Sequence, residues 1–271
     1  IYSENKEIKR DIEHAIHYFS LASNQNHLQA QFNLGLIYYE GEYVNPDINK
    51  AIYYFKLAAD QNYVVAQYNL GVIYYDNKYF VRDIDKAIYY FSLSANQNCA
   101  DSQYSLGMIY YEYIAVFKDI NKSIYYLTLS ANQDNIESQR VLGNLYYMGQ
   151  YVQQDIDKAI YYFTLAANKG HIKAQYELSL LYYIEGGTIK DINKSIYYCT
   201  LAANKNFANA QYTLGIIYYN NIGVLRDINK FLYYMKLSAD QNYADAQFDL
   251  GFFYYQNGDI KKAMYYLLLS S

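Results

Sequence analysis

Apolar residues recur along the chain in two alternating stretches, both at helical spacing. In one stretch Ile48, Ala51, Ile52, Phe55 and Ala58 fall three and four residues apart, which puts them on one stripe of an amphipathic helix. Asp47 precedes the stripe, where a carboxylate accepts from the free amides of the first turn and faces the positive end of the helix dipole. Asn62 follows it, a residue type that tolerates the left-handed conformation just past a helix end. This stretch, helix B, is predicted over 47–60. The other, helix A, is predicted over 64–75, with Ala66, Leu70 and Ile73 on one face. Its segment Leu70-Gly71-Val72-Ile73-Tyr74-Tyr75 also suits a strand by propensity, but the spacing from Ala66 to Ile73 is helical, and two helices fill the unit without a leftover loop.

The pair repeats. Leu-Gly recurs at Leu34, Leu70, Leu106, Leu142, Leu214 and Leu250, with Leu178-Ser179 filling the gap, in steps of 36 residues. Asp-Ile keeps that step from Asp11 through Asp47, Asp83, Asp119, Asp155, Asp191 and Asp227, and only Asp259 arrives four residues early. Gln keeps it from Gln31 to Gln247. Such self-similarity marks stacked supersecondary units that bury their apolar faces on their neighbours. The expected organisation is a single array over 1–271: a partial repeat at 1–27, full repeats at 28–63, 64–99, 100–135, 136–171, 172–207 and 208–243, and a shortened, truncated repeat at 244–271. Both ends fall inside a repeat, so a longer parent protein is expected. Small residues at Ala30, Ala66, Ser102, Ser138, Ala174 and Ala210, and the Gly of Leu-Gly, predict close approach of neighbouring helices. Gly inside a helix costs up to ~1 kcal/mol relative to Ala, so its recurrence points to packing.

The residues Ala66-Gln67-Tyr68-Asn69-Leu70-Gly71, a Tyr, a loop, then Asp83-Ile84-Asp85-Lys86-Ala87 and Leu93-Ser94-Ala95 resemble the Sel1-like repeat, a relative of the tetratricopeptide repeats. The match runs over essentially the whole chain. The resemblance implies an all-α fold, a right-handed superhelical α-solenoid of antiparallel helix pairs that serves protein–protein contacts without catalysis. The family's paired loop glycines survive here as Gly41, Gly149 and Gly186-Gly187, while Asn77-Lys78-Tyr79 and Tyr113-Ile114-Ala115 replace them elsewhere. Loop shape is therefore expected to vary along the array.

Composition narrows the function. A net charge of -4 and a pI near 5.6 leave no basic excess for nucleic acid or an anionic lipid surface. No apolar run approaches the roughly 18 residues of a spanning helix, so no membrane insertion is expected and a soluble, cytoplasmic chain is favoured. Cys99 and Cys199 lie too far apart in sequence to suggest a disulfide framework or a metal cluster. His14 and His17 sit one turn apart without an evident third ligand. No Gly-rich phosphate loop, His-Arg-Asp or Asp-Phe-Gly signature occurs, and neither an enzyme nor a cofactor is expected. Cys199 occupies the slot of Phe19, Phe55, Phe91 and Phe163 and should be a buried small hydrophobe. His27 and His171 share a slot with Tyr63, Cys99, Phe207 and Tyr243, read as an apolar contact that closes the helix end. In each Tyr-Tyr pair the side chains point about 100° apart, so one ring enters the interhelical core and the other lies at its edge.

Positions constant between repeats are expected to hold the array together, and positions that vary on one face to recognise a partner. Gln29, Asn33, Leu36 and Glu40 are spaced by four, three and four and line one side of helix A. The candidate partner-binding residues on this face are Asn33, Leu36 and Glu40, then Asn69, Val72 and Asp76, then Ser105, Met108 and Glu112, and further on Glu177, Thr213 and Asp249. Helix A lines the concave side in the family that the chain resembles. A groove is thus expected that is acidic over its first three repeats, through Glu40, Asp76 and Glu112, and more neutral or apolar over the next two, through Val141, Met148 and Ile184. The chain reads as an interaction scaffold or adaptor for a partner protein or peptide. The alternative expectation is a regulatory or targeting array of a larger enzyme, such as a protein kinase whose covalently linked catalytic domain lies outside this chain.

Overall fold

The structure is a computed structural model that describes residues 2–42, 44–76, 78, 81–113, 119–183, 191–222 and 224–270, with side chains from Asp11 onward. The described residues are all-helical. In the first of two compact units, Ile1–Ser138, lie α1 (Tyr2–Asn24), α2 (Leu28–Glu40), α3 (Ile48–Asp60), α4 (Val64–Tyr75), α5 (Ile84–Asn96), α6 (Ala100–Glu112) and α7 (Ile120–Ala131). The division falls within α8 (Ile136–Met148). The second unit, Gln139–Ser271, continues with α9 (Ile156–Asn168), α10 (Ile172–Tyr183), α11 (Ile192–Asn204), α12 (Ala208–Tyr219), α13 (Ile228–Ala239), α14 (Ala244–Gln256) and α15 (Ile260–Leu269). Within each unit, successive helices pack as pairs in tandem, A on B within a repeat and B on A of the next. The strand alternative for 64–75 is excluded, and both helix predictions coincide with α3 and α4.

Helix B begins where its cap predicts. Asp47, Asp83, Asp119, Asp155, Asp191, Asp227 and Asp259 each accept from the amide three residues on; losing such a cap costs about 0.5–2 kcal/mol. The amides of Asp47, Asp83, Asp155, Asp191, Asp227 and Asp259 also reach back to a helix-A tyrosine carbonyl, as in Asp47 N to Tyr38 O at 2.9 Å and Asp83 N to Tyr74 O at 2.9 Å. The shortened turn keeps this bond, from Asp259 N to Tyr254 O at 2.9 Å. The ring of that tyrosine stacks on one from helix B, Tyr38 on Tyr54 and Tyr74 on Tyr90. Its face lies under the lysine of the capping turn, Lys50 at 4.8 Å and Lys86 at 5.1 Å. One backbone bond, one ring stack and one cation–π contact thus tie the A-to-B corner irrespective of loop length. Asp11 is the exception: it lies inside α1, which runs unbroken from Tyr2 to Asn24.

The B-to-A corner rests on left-handed residues and on a buried glutamine ladder. Asn62 has φ 65° and Asn98 φ 66°, as their type predicts. Gln67 Nε2 donates to Ala59 O at 3.3 Å and to Asn62 Oδ1 at 3.2 Å, and its Oε1 accepts from Gln97 Nε2 at 2.8 Å. Gln61 donates to Gln31 at 2.6 Å, Gln133 to Gln103 at 2.7 Å and Gln241 to Gln211 at 2.6 Å in the same way. Lys205 stands at the donor position for Gln175, and the buried Oε1 of Gln175 has no hydrogen-bond partner. The slot after the left-handed residue also caps the next helix where histidine fills it. His27 Nδ1 accepts from Ala30 N at 3.2 Å and His171 Nδ1 from Ala174 N at 3.0 Å, whereas Tyr63 makes no cap bond and packs its ring edge-on against Phe32.

Helix A meets helix B at the Gly of Leu-Gly. A Cβ built on Gly35 would lie 2.5 Å from Phe55, on Gly71 2.5 Å from Phe91 and on Gly143 2.6 Å from Phe163, closer than real Cβ atoms approach, so only Gly fits beneath a phenyl ring. Ser179 breaks this rule, and its partner slot holds the smaller Cys199, which is fully buried. The hydroxyl of Ser179 bonds Tyr176 O at 2.7 Å, and Cys199 Sγ donates to Ala210 O at 3.3 Å. Burial pushes the thiol up to about 12, as expected of an inert core cysteine.

Two outcomes follow for stability. Cys199→Phe should destabilise by about 1–3 kcal/mol through overpacking against Ser179, and Ser179→Gly should restore it; denaturant unfolding of both single variants and the double variant checks the coupling. Lys205→Gln should complete the ladder at Gln175 and stabilise by about 1 kcal/mol, read as a raised midpoint at unchanged slope.

Candidate partner-binding face of helix A

In the first unit the face drawn by sequence is present but not uniformly acidic. Asn33, Leu36, Asn69, Val72, Asp76, Ser105 and Met108 are half-buried, and Glu40 and Glu112 are exposed. Gln29 donates to Asn33 Oδ1 at 3.0 Å, Ser105 Oγ bonds Asp101 O at 2.8 Å, and Asp76 accepts from Lys78 N at 3.0 Å. Glu112 is engaged across the repeat boundary, taking the Tyr75 hydroxyl proton in a hydrogen bond. Burial, then Glu112, push the Tyr75 hydroxyl well above its ordinary value. Arg82 sits over the Tyr75 ring at 4.4 Å and donates to the Tyr113 hydroxyl at 2.6 Å. Glu112 of the expected acidic run is thus accompanied by a cation outside the helix-A frame. Its signal lay one residue before the cap, where Arg82, Lys118, Lys190 and Arg226 recur.

In the second unit the varied positions differ in burial: Glu177, Thr213 and Asp249 are half-buried and bonded, whereas Met148 is exposed. Val141 is buried, not surface-exposed, and Ile184 lies outside the described residues. Tyr176 and Thr213 hydroxyls meet at 3.4 Å, and Tyr212 donates to Asp249 Oδ2 at 3.0 Å. Glu177 accepts from Asn144 Nδ2 at 3.3 Å and lies 3.8 Å from Arg140. Burial raises the carboxyls of both acids above their ordinary values, against Arg140 and Asn144 at Glu177 and against Tyr212 at Asp249.

Each unit carries a cleft on this face. Asn33, Leu36, Ile37 and Glu40 line one of about 250 Å³ with Ile12 and Phe19 of α1. Asp249, Phe252 and Gln256 of α14 line another of about 220 Å³ with Ile216, Tyr219 and Asn220 of α12. Of the twelve sequence candidates, Asn33, Leu36 and Glu40 meet in the first cleft and Asp249 lines the second; the rest line neither. Ile216, Asn220, Phe252 and Gln256 belong to the same varying positions but were not singled out.

On helix B one ring of each Tyr-Tyr pair lies at the edge, as expected. Tyr53, Tyr89, Tyr125, Tyr161, Tyr197, Tyr233 and Tyr265 repeat without change yet are 57–59% exposed. Each packs edge-on against the next tyrosine, as Tyr53 does on Tyr54 with ring centroids 5.1 Å apart. The second ring enters the interface and the first stays at its rim, as the angular argument predicts.

Among the described residues no group of three or more His, Cys, Asp or Glu converges on a possible metal site. His17 packs against the Tyr18 ring. Among them, too, no helix is long and apolar enough to cross a membrane.

Family comparison matches the Sel1 repeat to residues 2–27, 28–63, 64–99, 100–135, 136–171, 172–207, 208–243 and 244–271. Among solved structures, the chain is similar to a protective antigen of uropathogenic Escherichia coli strains that displays an SLR fold, at 27% identity and a TM-score of 0.85 over 94% of this chain. It spans 56% of that protein. A Sel1 repeat protein from Oxalobacter formigenes is similar at 26% identity and a TM-score of 0.76, with 97% of this chain and 77% of that one covered. No curated protein matches the chain in sequence.

Because Asp249 titrates above its ordinary value in the fold, its ionised form is disfavoured there and weakens stability above both titration points. Below the ordinary carboxylate range, near pH 3, both states are neutral and the penalty vanishes. Asp249→Asn, which still accepts from Tyr212, should therefore melt higher than the parent at pH 7 and converge with it near pH 3 in parallel thermal melts.

Proposed function

The chain belongs to the Sel1 repeat family, whose repeats are generally protein-interaction modules, and we propose that this array is a scaffold holding a partner protein or peptide along its helix-A face. The observation that carries the reading is a contrast between two faces. On helix B the outward row reads almost alike in every repeat: Asn49, Tyr53 and Asp60, then Asp85, Tyr89 and Asn96, then Asn121, Tyr125 and Asn132. A surface that repeats itself offers the same contacts at every step. On helix A the residues vary along the equivalent rows: Asn33 and Asn69 give way to Ser105, Leu36 and Val72 to Met108, and Glu177 to Thr213 and then Asp249. The clefts described above also lie on this face. A linear series of differing chemical groups suits an extended partner segment read in register. Acidic Glu40 and Asp76 favour basic residues in the part of that segment that meets the first unit.

The test places a photo-crosslinking amino acid at Leu36, Asn69 or Met108 on helix A, and at Tyr53, Tyr89 or Tyr125 on helix B, in the intact chain. The same protein from the source cell should be trapped from the helix-A positions and only weakly from the helix-B positions. Equal trapping from helix B would remove the assignment to helix A.

A further inference from the structure

The repeat that contains α13 departs from the common pattern at two neighbouring core positions. Phe231 stands where the equivalent residues are Ala51, Ala87, Ser123, Ala159, Ser195 and Ala263. Met235 stands where Phe55, Phe91 and Phe163 do. The bulk has thus moved one turn toward the start of helix B. Phe231 is buried, with ring centroids 4.7 Å from Tyr219 and 5.0 Å from Phe253. Where the other repeats carry a methyl or hydroxymethyl group, a phenyl ring here floors the cleft of about 220 Å³ between α12 and α14.

The walls of that cleft are aromatic, from Tyr219, Phe252 and Phe253, and its polar groups include the Asp249 carboxylate and the amides of Asn220 and Gln256. Among the described residues no cationic side chain lines it. The Tyr212 hydroxyl holds Asp249 Oδ2 at 3.0 Å. The other charge that acts on Asp249 is the carboxylate of Asp245, which adds to the negative potential. The Tyr219 ring already receives one guanidinium, that of Arg226 at 4.6 Å from its centroid. A half-buried carboxylate among aromatic walls asks for a cation with an apolar stem. Guanidinium meets this better than ammonium: it is planar, stacks on rings, and offers a fork of N–H donors to a carboxylate and amide oxygens together.

We propose that this cleft binds an arginine side chain of the partner segment, paired with Asp249 and packed against the rings of Tyr219, Phe252 and Phe253. The assignment rests on the reading of helix A as the partner-binding face and adds the chemistry recognised at one point of it. An aliphatic side chain there would leave the carboxylate uncompensated, and an acidic one would be repelled by Asp249 and Asp245. Burial that holds the Asp249 carboxyl above its usual range in the empty cleft is the penalty that a bound guanidinium removes.

The experiment titrates N-acetyl-arginine methylamide into the intact chain and follows backbone amide resonances, with the citrulline and lysine counterparts as comparison probes. Saturable shifts confined to residues 216–256 are expected with the arginine probe. Binding should weaken about tenfold or more with citrulline, or in Asp249→Asn, the range for a hydrogen bond to a charged group. A double variant, Phe231→Ala with Met235→Phe, restores the arrangement of the other repeats, so it keeps a foldable core while removing the floor; the shifts should vanish in it. Citrulline binding as tightly as arginine, no saturable shift at 216–256, or indifference to both variants would overturn the site, and lysine matching arginine would overturn the choice of guanidinium. If the photo-crosslinkers on helix A still trap a partner while the arginine probe fails, this cleft assignment falls alone; if they fail as well, the helix-A reading falls with it.

Discussion

Within each repeat, helix A and helix B approach so closely at one point that a side chain on helix A has no room there. The Gly of Leu-Gly lies under the ring of Phe55, Phe91 or Phe163 at a distance that a Cβ could not share, and the pairing of the two helices depends on that contact. It explains why Gly persists inside a helix despite its cost of up to ~1 kcal/mol. It also accommodates exceptions. Ser179 is tolerated opposite Cys199, Leu127 and Leu267 stand over Gly107 and Gly251, and Met235 over Gly215 accompanies Phe231 one turn away. Packed interiors conserve volume locally, so Ser179 is matched by Cys199 on the partner helix and Met235 by Phe231 on its own.

Around this contact the polar ends of the helices are satisfied by two recurring devices. The Asp cap, the tyrosine carbonyl behind it and the lysine over the tyrosine ring close the A-to-B corner. The glutamine ladder closes the B-to-A corner and links one repeat to the next through bonds such as Gln97 to Gln67. Because both devices use backbone groups and fixed side chains, loop composition can vary without moving the helices. One side of helix A, by contrast, varies in residue type along the repeats. The half-buried acids Glu177 and Asp249 lie on that side, each disfavoured as an anion by its own burial. Carboxylates held at a cost to stability are more readily explained by recognition than by folding.

Much of this was legible in the residues. The step of 36 residues, the Asp caps, the left-handed Asn positions and both helix spans follow from local chemistry that acts within one or two turns. The repeats also served as an internal comparison, which separated constant from varying positions. Their meaning was less legible. The sequence left open which ring of each Tyr-Tyr pair is the outer one; it is Tyr53, exposed and held by its neighbour Tyr54. Glu112 read as a free acidic position, although Tyr75, a full repeat away, engages it, with Arg82 over the Tyr75 ring.

By itself the sequence determined the helices, their order and the repeating unit, because capping, periodicity and Gly placement are short-range properties of the chain. Tertiary structure alone decided which varied positions stand together. Asn33, Leu36 and Glu40 share a cleft with Phe19 of α1, and Asp249 shares one with Tyr219 and with Phe231, a core residue of a different helix. Whether a varied side chain lines a cleft or is bonded to its neighbour depends on the bulk of residues a repeat away. Spacing along one helix carries no record of that bulk, since it is set by packing between helices.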